Sequence, residues 1–225
     1  MSGITIIHYT ANRISERFAA NIRAELLSWL PKQIPIISVS QKPLDFGQNI
    51  CCANLEYSIY SIYQQILIGA EAASTPYIMC HEDDALYNTE HFLCRPPLDT
   101  FLYNQHRWII DHDIYFLRHR TNMSGCIAPR VLLIHTLKER FDKYKSLPEG
   151  LPFGEPGRFE RQLGLTPVKI KRIKTKTPTI VFNHKKGVGG VRRPRMGKNG
   201  DIITSELPYW GRASDLWNSI YESVL

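Results

Sequence analysis

Between Ile4 and Asp84, apolar runs alternate with segments of helical periodicity. Ile4 to Tyr9 is apolar and β-rich, the pattern of a buried strand. Thr10 to Arg13 is polar and reads as a loop. From about Ser15 to Leu30, Phe18, Ile22 and Leu26 fall four apart on one helical face, and Pro31 ends the pattern. Pro35 to Val39 predicts a second strand, and Ser40 to Ala53, with Pro43 and Gly47, a loop. A second helix is predicted over Leu55–Ala73, where Ile59, Ile62, Tyr63, Ile66 and Ala70 recur at helical spacing. Thr75-Pro76 breaks it, and a short strand, Tyr77–Cys80, runs directly into His81-Glu82-Asp83-Asp84. This β-α-β-α-β order predicts an α/β fold: a mainly parallel central sheet flanked by helices. Function in such sheets gathers at the carboxyl ends of the strands. Thr10–Arg13, Ser40–Asn49 and the acidic cluster all follow such ends, so chain direction brings them together.

The second half is less regular. Strand-like segments surround Asp111, His112 and Asp113 between Trp108 and Leu117. Pro129 suits a first helical position, and a helix over about Arg130–Tyr144 carries Leu133, Leu137 and Phe141 on one face. Glu149 to Gly157 is rich in proline and glycine. Val168–Ile173 and Thr179–Phe182 predict strands, His184–Gly200 a loop rich in glycine and arginine, and Ser214–Val224 a final short helix. No internal repeat is visible.

Composition narrows the class. The 225 residues suit one domain, and 43% hydrophobic residues exclude a disordered chain. No apolar run approaches the ~20 residues needed to span a bilayer. Met1-Ser2-Gly3-Ile4 leads into the first strand without a basic, apolar leader, so a cytoplasmic protein is expected. The five cysteines (51, 52, 80, 94 and 126) are odd in number and form no C-x-x-C pair, which favours buried, reduced thiols over disulfides or zinc. Net charge is +7, and Val168–Lys198 holds eleven lysines and arginines and no acid. Such a block attracts phosphates on a small donor or along a nucleic acid; the alternative is a solvated basic face.

Three adjacent carboxylates after a buried strand repel one another, and a divalent cation relieves the repulsion. Mg²⁺ and Mn²⁺ prefer oxygen ligands and usually bind one or two carboxylates plus substrate phosphates. Glu82-x-Asp84 therefore reads as a metal site bridging to a diphosphate. The competing reading is an acidic turn in which Asp84 caps a short helix over Ala85–Tyr87.

Three stretches in order, Tyr63-Gln64-Gln65-Ile66-Leu67-Ile68-Gly69-Ala70, then Ala72 to Ile78, then Glu82-Asp83-Asp84, resemble the core of GT-A-fold (Rossmann-like) glycosyltransferases. The resemblance is closest to small family-2-like transferases of phages and metagenomic sequences. Pro35 to Pro43, Gly154-Glu155-Pro156-Gly157 and Tyr209 to Asp215 also fit. One departure is that the first acid is glutamate, Glu82, rather than aspartate. The resemblance implies a single glycosyltransferase domain, with residues 1–100 as the nucleotide-sugar-binding half. Residues 101–225 form the acceptor-binding half, with the basic loop 184–200.

Donor binding then falls on Tyr9, Thr10, Asn12 and Arg13 with Gln41 and Lys42; Tyr9 is either a stacking platform for a base or core packing. Asp84 is the leading ligand for Mn²⁺ or Mg²⁺, Glu82 the second, and His184 completes the shell; Asp83 touches ribose or sugar. Glu155 is the base that deprotonates the acceptor in an inverting transfer, with Asp111 and Asp113 in reserve. Lys185, Lys186, Arg192 and Arg193 stabilise the departing diphosphate, and glycines 187, 189, 190 and 197 let the loop close. The donor implied is a UDP-sugar.

For the acceptor, the basic excess and the phage-like resemblance point to a 5-hydroxymethylpyrimidine in DNA. Arg118, Arg120, Arg192, Arg193 and Arg195 are candidate backbone contacts. Trp108, Tyr115 and Phe116 either stack on an extruded base or fill the core. Alternatives are a protein or glycan acceptor, and a non-catalytic nucleic-acid-binding protein.

Overall fold

A computed structural model describes residues 3–117, 120–187, 190–197 and 200–222. Arg118 and His119, together with Gly189 and Lys198 of the basic loop, lie outside the described residues.

The first half follows the predicted order. Strand β1 (Ile4–Thr10) leads to helix α1 (Glu16–Trp29), then β2 (Ile36–Ser40), β3 (Gln48–Cys51), α2 (Ile59–Ala72) and β4 (Tyr77–His81). Every residue of β1 is buried, and β1 lies between β2 and β4, parallel to both. Its side chains alternate between two cores. Ile7 and Tyr9 join Tyr63 and Ile66 of α2, whereas Ile4 and Ile6 join Leu26 of α1. Gly69 lets α2 approach β1 closely: a Cβ there would sit 2.7 Å from Ile7 Cγ2.

Strand β3 departs from the predicted loop. It pairs parallel to β2 at the sheet edge. Asn49 donates from Nδ2 to Ser38 Oγ at 2.9 Å and Ser40 Oγ at 2.8 Å, so polar groups that read as loop are satisfied within the sheet.

The remaining elements are β5 (Ala85–Leu86), α3 (Thr89–Leu93), β6 (Thr100–Asn104), β7 (Arg107–Asp111), β8 (Ile114–Leu117), a 3-10 turn (Met123–Gly125), β9 (Cys126–Pro129), α4 (Arg130–Lys143), β10 (Lys169–Ile173), β11 (Thr179–Phe182), β12 (Ile202–Thr204), the two-stranded β13 (Glu206–Leu207) and β14 (Gly211–Arg212), and α5 (Ala213–Glu222). The main sheet runs β10-β6-β9-β4-β1-β2-β3, and β9 alone is antiparallel to its neighbours. A second sheet runs β12-β8-β7-β11-β5. Strands β7 and β8 form a hairpin turning at His112 and Asp113. Pro129 closes β9 and caps α4 rather than opening it. In place of the short helix of the competing reading, Ala85–Leu86 form β5, which pairs antiparallel with β11.

The five thiols are free, and they are not uniformly buried: Cys80 and Cys126 are, Cys51 is exposed, and Cys52 and Cys94 lie between. Trp108, Tyr115 and Phe116 are 7%, 0% and 0% exposed, so they fill the core and offer no ring to an extruded base. Among the described residues, no helix is long and apolar enough to cross a membrane.

Beneath β1 and β4 lies a buried histidine cluster. His8 and His81 face each other with Nδ1 atoms 2.8 Å apart, and the Tyr87 ring packs at a tilt against both His81 and His91. Burial lowers the His91 pKa to about 4, below the ordinary 6.5. Between those values the unfolded chain takes a proton that the folded chain refuses, so stability falls as pH falls through that window. Unfolding by urea at pH 7 and pH 5 should therefore show a smaller acid loss for His91→Gln than for the parent, by about 2 kcal/mol.

Candidate functional site

The carboxyl ends of β1, β2 and β4 meet as chain direction requires. Asn12, in the left-handed region at φ 50, accepts from the backbone N–H groups of Gln41 (3.0 Å) and Lys42 (2.9 Å). Gln65, buried on α2, donates to the carbonyls of Thr10 and Val39, both at 2.9 Å. These bonds lock the loops after β1 and β2 together. They form one wall of a cleft of about 350 Å³.

The acidic cluster lines this cleft, but its three carboxylates have different partners. Tyr9 donates to Glu82 at 2.6 Å, and Thr10 donates to Asp83 at 2.5 Å. Asp84 Oδ2 lies 3.0 Å from His184 Nε2, and Oδ1 is buried without a partner among the described residues. Burial, then the charge of Asp84, pushes the Glu82 pKa up to about 7 and that of Asp83 to about 6. Burial alone would lower His184, but the hydrogen bond and charge of Asp84 hold it above its ordinary value.

Strand pairing explains how His184 arrives here from a hundred residues away. β5 and β11 pair antiparallel, and Phe182 N–H donates to the Asp84 carbonyl at 2.8 Å, so the chain continues past the acidic turn. Among the described residues, no group of three or more His, Cys, Asp or Glu side chains converges as a ready metal cage. The orphaned Asp84 oxygen and the facing imidazole nevertheless fit a divalent cation that takes its other ligands from phosphates and water. Glu82, expected as the second ligand, is engaged by Tyr9.

Glu155 lines the cleft, and its carboxylate accepts from Arg158. Its loop is pinned from below. Arg140 of α4 donates to the Gly154 carbonyl at 2.7 Å and forms an ion pair with Glu160, with both side chains essentially fully buried. The guanidinium also lies over the Phe153 ring, 5.1 Å from its centroid. Removing one partner of a buried pair leaves an uncompensated charge, so Glu160→Ala should lower unfolding free energy by about 3–5 kcal/mol. Denaturant titration with unchanged m would register this loss.

The other expected site residues divide. Thr10, Arg13, Gln41, Lys186 and Arg192 line the cleft, and Lys42 borders a shallow recess beside it with Asn12. Tyr9 is 4% exposed and held through its hydroxyl, so its ring is no free platform for a base. Lys185 is exposed outside the cleft lining. Asp111 and Asp113 lie at the β7–β8 turn, outside that lining; Asp111 accepts from Asn183 at 3.0 Å. Arg120 and Arg193 are exposed, and Arg195 pairs with Asp201.

Three cleft residues were given no role by the sequence. Tyr57 lies beneath the Arg13 guanidinium, 4.3 Å from the ring centroid, and its hydroxyl donates to the Lys186 carbonyl. Arg107 is buried at the start of β7. Gln65 belongs to the stretch that carries the family resemblance, which assigned it no task of its own.

No family model matches the chain, and no curated protein matches it in sequence. Among solved structures, the chain is similar to residues 1–349 of S. aureus TarS in complex with UDP-GlcNAc, with a TM-score of 0.51 and 13% identity. That match covers 85% of this chain and 62% of the TarS fragment, so the chain spans less than two thirds of its length. A glycosyltransferase involved in glycosylation of the major capsid of PBCV-1 matches at TM-score 0.48 and 10% identity, over 79% of this chain and 92% of that one. A nucleotidyl transferase from Methanothermobacter matches at 0.45 and 12%, over 78% and 88%. The last two similarities are too low to carry an argument. What the chain shares with the TarS fragment is its fold: an α/β architecture with a mainly parallel central sheet flanked by helices.

Proposed function

We propose that this protein is a metal-dependent glycosyltransferase that moves a hexose from a UDP-sugar to a hydroxyl acceptor. The observation that carries this reading is a convergence in one cleft. It contains the Asp84–His184 pair, the carboxylate of Glu155, and the cations Arg13, Lys186 and Arg192. On this reading the chain acts as one domain, with the donor bound mainly by its first hundred residues.

Asp84 and His184 would hold Mn²⁺ or Mg²⁺, which supplies Lewis-acid neutralisation of the donor diphosphate. Thr10 holds Asp83 toward the ribose or sugar. Tyr57, 38% exposed and carrying the Arg13 guanidinium over its ring, replaces Tyr9 as the aromatic side chain the cleft offers to the base. Glu155 takes the acceptor proton as the hydroxyl oxygen attacks the anomeric carbon, with inversion. Lys186 and the arginines receive the charge that develops on the departing diphosphate.

For the acceptor, the exposed arginines 120 and 193 favour a polyanion, and a 5-hydroxymethylpyrimidine in DNA remains the leading substrate. Burial of Trp108, Tyr115 and Phe116 removes the stacking argument for it. The deciding experiment offers UDP-sugars and Mn²⁺ with hydroxymethylcytosine DNA, a glycan or a peptide, and reads products by mass spectrometry. Sugar on DNA alone supports the full reading, and sugar on glycan or peptide alone moves the acceptor. Salt-sensitive DNA binding without turnover of any nucleotide sugar would favour a non-catalytic binding protein.

A further inference from the structure

We propose that Arg107 and Arg192 form a two-guanidinium site for a phosphate-class anion. On the glycosyltransferase reading, that anion is the donor diphosphate or a phosphate carried by the acceptor.

Arg107 opens β7, paired with Thr179 of β11, and its side chain lines the cleft. The residue is 3% exposed, and its Nε is buried with no hydrogen-bond partner. A buried guanidinium with an unmet donor is costly, and an anion meets that cost. Burial, then the nearby charge of Arg192, lowers the Arg107 pKa to about 10, which leaves it a cation at neutral pH. Glu82, Asp84 and Glu155 are near enough to act on it electrostatically. Yet among the described residues no carboxylate forms an ion pair with either Arg107 or Arg192. Glu82 and Asp83 are instead bonded by Tyr9 and Thr10.

Arg192 is placed deliberately. The amide of Asn183 grips its backbone from both sides: Nδ2 donates to the Arg192 carbonyl at 2.8 Å, and Oδ1 accepts from its N–H at 2.9 Å. Asn183 is itself oriented by donating to Asp111 at 3.0 Å. Asp111, a reserve base by sequence, is thus a positioning residue. It acts through Asn183 on the segment that presents Arg192 to the cleft. Two like charges brought into one cleft repel, and an anion with two or more negative oxygens, matched to the forked guanidinium donors, converts that repulsion into binding.

Calorimetric titration with pyrophosphate in metal-free, low-salt buffer tests this. The expected result is saturable binding that weakens by at least about tenfold in Arg107→Met and in Arg192→Met. Arg192 is only partly buried, so Arg192→Met carries the test if Arg107→Met does not fold. Asp111→Asn keeps an oxygen that accepts from Asn183 and should retain the affinity, whereas Asp111→Ala should lose it. A merely structural Asp111 would change melting temperature in both variants without separating their affinities. Repeating the titration with saturating UDP identifies the source: competition assigns the donor diphosphate, and undiminished binding assigns a phosphate on the acceptor. Absence of pyrophosphate binding by the parent, or equal binding by both well-folded arginine variants, overturns the site. Arginine-dependent binding without nucleotide-sugar turnover keeps the site and removes the transferase reading. Normal turnover in both arginine variants does the reverse.

Discussion

Asp84→Ala is expected to lower sugar transfer by about a thousandfold or more while leaving the chain folded. Asp84 offers one oxygen to His184 and holds the other buried without a partner. That arrangement costs stability in the free protein and becomes favourable when a cation and a diphosphate arrive. Its charge also raises the pKa of both Glu82 and Asp83, so its removal relieves them. The alanine variant should consequently melt at or above the parent temperature even as turnover collapses. Steady-state kinetics over a Mn²⁺ titration, beside thermal melts, reads both effects. Turnover within tenfold of the parent would falsify the role given to Asp84.

Glu155→Gln should reduce kcat by roughly 10²–10⁴-fold, the usual contribution of a general base, with the donor KM nearly unchanged. Glutamine keeps the shape and removes the proton acceptor. The loop should stay in place because Arg140 holds the Gly154 carbonyl, and the Glu160 ion pair anchors Arg140. The partly exposed pair with Arg158 contributes only about 0–1 kcal/mol, so its loss leaves the fold intact. Single-turnover measurements separate chemistry from binding. An unchanged chemical step with a raised acceptor KM would assign Glu155 to acceptor binding instead.

In the first half of the chain, the elements legible in the sequence were those whose burial imposes a period. β1, α1, β2, α2 and β4 are buried runs or half-buried helices, and their patterns survive without knowledge of neighbours. β3 was missed because it is a polar edge strand satisfied through Asn49, and β9 because its last residue, Pro129, reads as a helix start. Arg140 was missed because an arginine on an amphipathic helix ordinarily faces water, and its burial is made tolerable by Glu160 and the Gly154 carbonyl, both distant along the chain.

Chain direction alone was sufficient to place Thr10, Asn12, Gln41 and the acidic cluster together. Successive parallel strands must end on the same side, and local periodicity is enough to show the strands. Tertiary structure decided which acids remain open, which arginines enter the cleft, and what Asp111 does. Those outcomes rest on pairings such as β5 with β11 and Asn183 with Arg192. Contacts between distant segments satisfy particular hydrogen-bonding groups, and no spacing along the chain records them.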